Sequence, residues 1–476
     1  MPRHVIERRL LSAYTGQLAL ALFSSPGAPL AIVGWCLVAP LLALHSPRQE
    51  LAPLYASLSL RVLSPLVASL SLAPFPAPPA AATAAAAPSL LLSVIDALVV
   101  LSVALAWLSS ALFPWPHLSP LHGPYAAIGC RSTRLGGIEC RVLYPSTTGK
   151  AATADRERDR SAAKRLVPYL HHGHHVMKGL GRSQNLPAWL FHNMSNAHLS
   201  AVEDAPIAPP SLSTGWPVVI FSHGLAGSLE LYSSVNQELA SQGYVVVVLN
   251  HCDGSACVCS PEPGRMEYYH EITLEVRDDI DQAGFRFRNG QLQQRVCEVR
   301  SVLDAIELQH AVATSVFKQC NLNDVSIAGH SFGAATALSV AHQDERVKKM
   351  VLLDAWMEPL DRHVCDGLGA RVPVLHLLSE HFMNWRPNAK SVERHVRGCT
   401  HALSRLTWLR DTRHNNFSDV PIFSPILNRL MKSTGKMDHL RALQAIGELS
   451  AAFLAGDFDA RALEFPELAI VDTTAE

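Results

Sequence analysis

The sequence has no surplus of either charge. Its 40 Lys and Arg stand against 41 Asp and Glu, for a net charge of −1 and a pI of about 7.1. It therefore lacks the basic face that nucleic-acid binding requires, and no nucleic-acid partner is expected. Charge of any sign is scarce, at 17% of residues against 48% hydrophobic, which is greasy for a soluble enzyme. No internal repeat is present, which excludes a repeat architecture. The ten cysteines show no paired zinc spacing: "CDGSACVC" (Cys252, Cys257, Cys259) has no matching second pair and reads as a structural or disulfide element. "HHGHH" (His171, His172, His174, His175) has no Cys or carboxylate beside it in the chain and reads as solvated histidines. No metal site and no cofactor are expected.

The missing charge is concentrated near the amino terminus. No Asp, Glu, Lys or Arg occurs between Arg9 and Arg48, and Leu18 to Leu44 is mostly apolar. A second charge-free run, Val62 to Ile95, is broken by Pro65, Pro74, Pro76, Pro78, Pro79 and Pro88. Ser89 to Phe113 carries a single acidic residue, Asp96. Crossing a bilayer core takes about 20 apolar helical residues, so residues 1–116 are expected to form a membrane-embedded region with two or three transmembrane helices. "SSPGAP" would kink the first, and "APFPAPPAAATAAAAP" reads as a low-complexity connector. A cleaved signal peptide would need an apolar core of only about 7–15 residues. Arg3, Arg8 and Arg9 favour a cytosolic amino terminus. Two spans and three would leave the rest of the chain on opposite sides, so a membrane location is expected with the side open.

From about His117 short apolar runs alternate with amphipathic segments. "RVLYP", "WPVVIFSHG", "YVVVVLN", "DVSIAG", "MVLLDA", "VPVLHLLSE" and "LTWL" read as strands. Leu231, Val235 and Leu239 mark one helix, and Leu292, Val296, Val299, Leu303 and Ile306 one face of a longer one. Pro421 to Leu454 reads mostly as helices, and the charged insert Lys150 to Arg165 as a surface loop. Uninterrupted apolar strands alternating with helices imply a mostly parallel sheet covered on both faces. The expected fold is α/β over residues 117–460, with 461–476 a carboxy-terminal tail.

Within it, "IAGHSFGAATAL" places Ser331 between Gly329 and Gly333, where a strand becomes a small-residue helix. Such a turn strains the serine backbone and exposes its hydroxyl at the head of a helix. A serine hydroxyl needs a base, and an acid holding that base in the right tautomer. In the order Ser, acid, His, the loop of "LTWLRDTRHNNFSDVP" makes His414 the candidate base. Asp354 and Glu380 each close a strand, and periodicity does not choose between them. The oxyanion donors are expected from the Phe332 N–H and, in "SHGLAGS", the Leu225 N–H beside Gly224; His223 reads as a loop-shaping residue.

The blocks "FSHGLAGSLELYSSVNQELASQGYVVVVLNHCDGSA", "IAGHSFGAAT", "LLDAWMEPL" and "TRHNNFSD" resemble the platelet-activating-factor acetylhydrolase family, of the plasma and type II kind, from about Gly123 to about Phe458. The resemblance implies an α/β-hydrolase fold with Ser331, Asp354 and His414 as the triad, leaving Glu380 the runner-up, and Leu225 and Phe332 as oxyanion donors. It implies a phospholipid substrate with a short or oxidised sn-2 acyl group, and no calcium requirement. "LPAWLFHNM" lies where relatives carry an apolar membrane-contacting helix. Ala334 stands where the family usually has glycine, Cys252 where it has arginine, and the greasy amino-terminal region has no counterpart. Rival expectations are a general lipase or thioesterase on neutral lipids or acylated proteins, and a membrane scaffold with a decayed hydrolase domain. Two glycosylation sequons begin at Asn193 and Asn416; use of the second is not expected, since a glycan there would crowd His414.

Overall fold

The computed structural model describes residues 12, 86–147, 166–273, 276, 280–368 and 370–471. The expected span at Leu18–Leu44, the proline-broken run as far as residue 85 and the insert Lys150–Arg165 lie outside the described residues. The chain divides into two compact units: residues 1–116 with 423–427, and residues 117–422 with 428–476.

In the first unit a helix, Ala86–Leu112, forms where the third apolar run predicts one. Among the described residues, however, no helix is long and apolar enough to cross a membrane, so a transmembrane helix at Ser89–Phe113 is not supported. The helix carries Asp96 and several serines, and it is two-sided. Val103, Ala106 and Ser110 are buried while Val100, Leu101 and Leu108 are exposed, as in a helix that packs along one stripe.

The second unit is built on one eleven-stranded sheet. Its strands are β1 (Ile128–Leu135), β2 (Ile138–Pro145), β3 (Leu166–Pro168), β4 (His198–Glu203), β5 (Trp216–Ser222), β6 (Val245–Leu249), β9 (Cys320–His330), β10 (Val347–Leu353), β11 (Val374–Ser379), β12 (Arg405–Leu409) and β13 (Leu468–Val471). The short strands β7 (Val258–Cys259) and β8 (Glu267–Tyr268) pair apart from it. The spatial order is β13-β12-β11-β10-β9-β5-β6-β2-β1-β4-β3. From β12 to β6 every neighbouring pair is parallel, and β2 returns antiparallel to β6. Every residue of β6 ("VVVVL") is buried, which requires cover on both faces. Helices Phe285–His310 and Phe332–Gln343 pack together, as do Ser233–Ser241 and His439–Ala455. Each expected strand forms, with shifted ends. Part of the expected tail becomes β13, which extends the sheet antiparallel to β12.

Because β5, β6, β9, β10, β11 and β12 run in one direction, their last residues share one edge. Ligand sites in α/β sheets assemble at that carboxyl edge.

Candidate active site

β9 ends at His330 and the next helix begins at Phe332, which leaves Ser331 alone in the turn at φ 58°, ψ −116°. A residue with a Cβ is strained at such a positive φ, so its neighbours must hold it. The Ser331 N–H donates to Leu353 O at 2.8 Å, and the Ser331 carbonyl accepts from Ala334 N–H at 3.1 Å and Trp356 N–H at 3.3 Å. The flanking glycines are steric necessities. A Cβ on Gly329 would overlap Gly333 O, and a Cβ on Gly333 would overlap Ser222 O.

The loop after β5 closes on this turn. A Cβ on Gly224 would lie 3.3 Å from Ser331 Cβ, so the chain passes beside the hydroxyl as the sequence predicts. The loop is tied by Gly224 N–H to Tyr232 Oη at 3.1 Å and by Ala226 N–H to Ser255 O at 2.7 Å. Leu225 N–H makes no backbone hydrogen bond among the described residues. Phe332 N–H, at the first position of its helix, has no intrahelical acceptor. These two amides are therefore free to meet an anion.

Opposite them lies an acid–imidazole pair. Asp354 follows β10 in a left-handed conformation, φ 45°, and is fully buried. Its Oδ2 accepts from His414 Nδ1–H at 2.9 Å and from Ser379 Oγ–H at 2.8 Å, and its Oδ1 accepts from Ser379 N–H at 2.5 Å. Glu380 goes elsewhere: its Oε2 accepts the Asp411 N–H at 2.6 Å and shapes the turn before the histidine loop. Geometry thus brings Asp354, not Glu380, to His414. The imidazole is sandwiched between the Phe382 ring, 4.3 Å away and 3° from parallel, and the His330 ring, also at 4.3 Å. With Nδ1–H given to Asp354, His414 Nε2 keeps its lone pair. Ser331 directly follows His330, whose ring lies 4.3 Å from that of His414.

Several supporting residues escape the sequence reading. Tyr232 Oη accepts from Gly224 N–H, so it donates to His330 Nδ1 at 2.9 Å. Burial, then the nearby His414, hold His330 well below its ordinary pKa, so a neutral ring faces the His414 imidazole. Arg295 is completely buried. It donates to Asp253 Oδ2 at 3.0 Å and His223 O at 2.7 Å, and its guanidinium lies 4.4 Å over the Phe332 ring. It thereby joins the "CDGS" block, the β5 loop and the elbow. One signal was available: Arg295 shares the buried face of Leu292, Val296 and Val299, where an unpaired charge would be costly. His223 is loop-shaping as expected, with Nε2 accepting from His251 N–H at 3.1 Å and Nδ1–H donating to Gly224 O at 2.8 Å.

Three other expectations meet the structure here. The histidine run is not simply solvated: His172 Nε2 lies 2.7 Å from Glu139 Oε2 and His171 Nε2 3.3 Å from Glu139 Oε1, a carboxylate delivered by β2 from 32–33 residues away. All nine described cysteines are free, so "CDGSACVC" holds no disulfide. The side chains of Asn193 and Asn416 are fully buried. Asn416 Oδ1 accepts from Arg413 and Gly435 N–H groups at 2.8 Å each, so the folded chain presents neither sequon.

Comparison with known proteins agrees with this architecture. Residues 114–464 match the family described as platelet-activating factor acetylhydrolase, isoform II. A platelet-activating factor acetylhydrolase of Canis lupus familiaris is 28% identical over 300 residues, covering 58% of this chain and 65% of the relative. One of Cavia porcellus is 27% identical over 354 residues, covering 70% and 76%. The chain thus spans about two thirds to three quarters of these relatives' lengths. Among solved structures, a ferulic acid esterase from Streptomyces cinnamoneus superposes with a TM-score of 0.55 at 20% identity, covering 75% of this chain and all of the esterase, a likeness of fold. With its mixed sheet, its serine elbow and a family match over most of its length, the chain belongs to the platelet-activating factor acetylhydrolase isoform II family.

Proposed function

We propose that the protein is a serine ester hydrolase that removes a short or oxidised sn-2 acyl group from phospholipids of the platelet-activating-factor type, without calcium. The observation that carries this reading is the 2.9 Å pairing of Asp354 with His414 beside a strained, glycine-flanked Ser331. His414 Nε2 takes the Ser331 proton as Oγ attacks the ester carbonyl. Asp354 holds the imidazole in the Nδ1–H tautomer and stabilises the imidazolium, with Ser379 fixing the carboxylate through both oxygens. The oxyanion of the tetrahedral intermediate accepts from Leu225 and Phe332 N–H, an arrangement in which one donor is worth about a hundred- to thousand-fold in rate. Imidazolium returns the proton to the departing lysophospholipid oxygen. Water then repeats the sequence on the acyl-serine, releasing a short carboxylic acid such as acetate.

Residues 117–460 would form the catalytic domain, preceded by the apolar region 1–116. Work at a membrane suits this chemistry, since withdrawing each methylene from a bilayer costs about 0.8 kcal/mol, which favours substrates whose sn-2 chain is short. Trp189, 65% exposed on the nine-residue 3-10 helix Ala188–Asn196, supports contact with a lipid surface. The test is hydrolysis by the purified full-length protein, with chelator present, of an sn-2-acetyl phospholipid against a triglyceride. Release of acetate from the phospholipid is expected; turnover of the triglyceride alone would replace this reading with a neutral-lipid lipase.

A further inference from the structure

We propose that Glu139, His171 and His172 form a second site, for one divalent metal ion of the zinc class, at the sheet edge that carries Ser331 but from residues the ester chemistry does not use. Glu139 begins at the entry to β2, where Asn250 N–H, just past β6, donates to its carbonyl at 2.9 Å. His171 and His172 lie in the turn between β3 and the helix His174–Gln184. Each imidazole directs its Nε2 at a different oxygen of one carboxylate, and the three donor groups lie within 4.8 Å of one another. A lone buried carboxylate needs one cationic partner for an ion pair; here two imidazoles converge on it, and each Nε2 becomes a metal ligand once its proton has moved.

The donor set, two imidazole nitrogens and a carboxylate oxygen, is one that zinc takes in three-ligand sites, whereas calcium and magnesium favour all-oxygen shells. Metal–nitrogen and metal–oxygen bonds of about 2.0–2.2 Å in a tetrahedron set donor separations of roughly 3.3 Å. The His171–Glu139 separation, 3.3 Å, has that value, and the His172–Glu139 separation, 2.7 Å, must open slightly. The side chains grade from Glu139 at 9% exposure through His172 at 12% to His171 at 31%, so an ion enters from the His171 side and water takes the fourth position. Supporting contacts exist around the donors. Glu230 Oε1 accepts the His171 N–H at 3.1 Å. Asn250 Nδ2 lies 3.5 Å from Glu139 Oε2, and its buried Oδ1 has no partner. On binding, each imidazole gives up the Nε2 proton that now faces Glu139, by shifting to the Nδ1–H tautomer or by releasing the proton to solvent, and the freed Nε2 lone pair bonds the metal.

The test uses the full-length protein, stripped with chelator, dialysed and titrated with Co(II) and then Zn(II). One equivalent of Co(II) with visible ligand-field absorption is expected, displaced by Zn(II), and zinc should raise Tm. Glu139→Gln and His172→Ala should each weaken binding by at least roughly a hundredfold, while the double variant His174→Ala, His175→Ala should bind as the parent does. X-ray absorption of the parent zinc form should give a first shell with two imidazoles, a readout that holds even if a variant misfolds. No stoichiometric binding, a shell without two imidazoles, or binding lost only in the His174/His175 variant (an adventitious histidine tract only) would each overturn the site.

Discussion

The two halves of the candidate site hold their geometry by opposite means. The half containing Ser331, Leu225 and Phe332 is fixed by side chains that are missing: Gly329 and Gly333 let backbone segments meet where any Cβ would collide, and Gly224 brings its loop within close contact of Tyr232 and Ser331. The half containing Asp354 and His414 is fixed by polar groups that are present, with Ser379 donating twice to the carboxylate and two rings clamping the imidazole. The first half should fail when volume is added, and the second when a donor is removed.

The largest effect should come at the elbow. Ser331→Ala should lower kcat on the sn-2-acetyl phospholipid by about a million-fold while leaving Tm unchanged. Gly333→Ala should also inactivate, but with a clear drop in Tm, because the added methyl meets Ser222 O. Equal melting temperatures for the two variants would break the contrast. Next, Asp354→Asn should cost about ten-thousand-fold in kcat through the wrong imidazole tautomer, with Glu380→Gln close to wild type; the reverse pattern in steady-state kinetics would move the acid to Glu380. Ser379→Ala removes one hydroxyl donor to a buried carboxylate, an interaction worth about 1.5–3 kcal/mol, so kcat should fall roughly ten- to hundredfold. An unchanged kcat would mean the Ser379 amide alone suffices.

The smallest effect concerns the anchor of the histidine loop. Asp419 is completely buried and accepts from Ser234 N–H at 3.2 Å. Burial pushes its carboxyl up from 3.8 to about 7 despite that bond. The folded chain therefore binds the proton more tightly than the unfolded one, and this group's stabilisation is complete below the unfolded value and lost as pH rises from about 4 to about 7. Urea midpoints measured across that range should fall less steeply with pH for Asp419→Asn than for the parent. Equal slopes would assign the pH dependence to other groups.

The same contrast explains what the sequence made legible. Ser331, its glycines and the Leu225 loop follow from contiguous motifs, because sterics between near neighbours leave a local trace. His414 follows from chain order. The acid was ambiguous because Asp354 and Glu380 end adjacent parallel strands, and which one faces the imidazole depends on a turn at φ 45° that no pattern announces. Ser379, Tyr232 and His330 act through bonds to residues that are distant in the chain, so single positions carried no mark. Glu139 and His172 lie 33 residues apart and meet only because the turn after β3 folds back onto the start of β2. At the amino terminus, apolar composition predicts a helix correctly at Ala86–Leu112 but says less about its surroundings. Buried Val103 and Ala106 give it a packed side.

The most direct measurement of the central claim is covalent labelling with a fluorophosphonate, followed by peptide mass mapping. One adduct on the Ser331 peptide is expected, absent in Ser331→Ala and formed at least a thousandfold more slowly in His414→Ala, with folding intact by circular dichroism. Labelling of a different serine, or of Ser331 at an unchanged rate without His414, would contradict it.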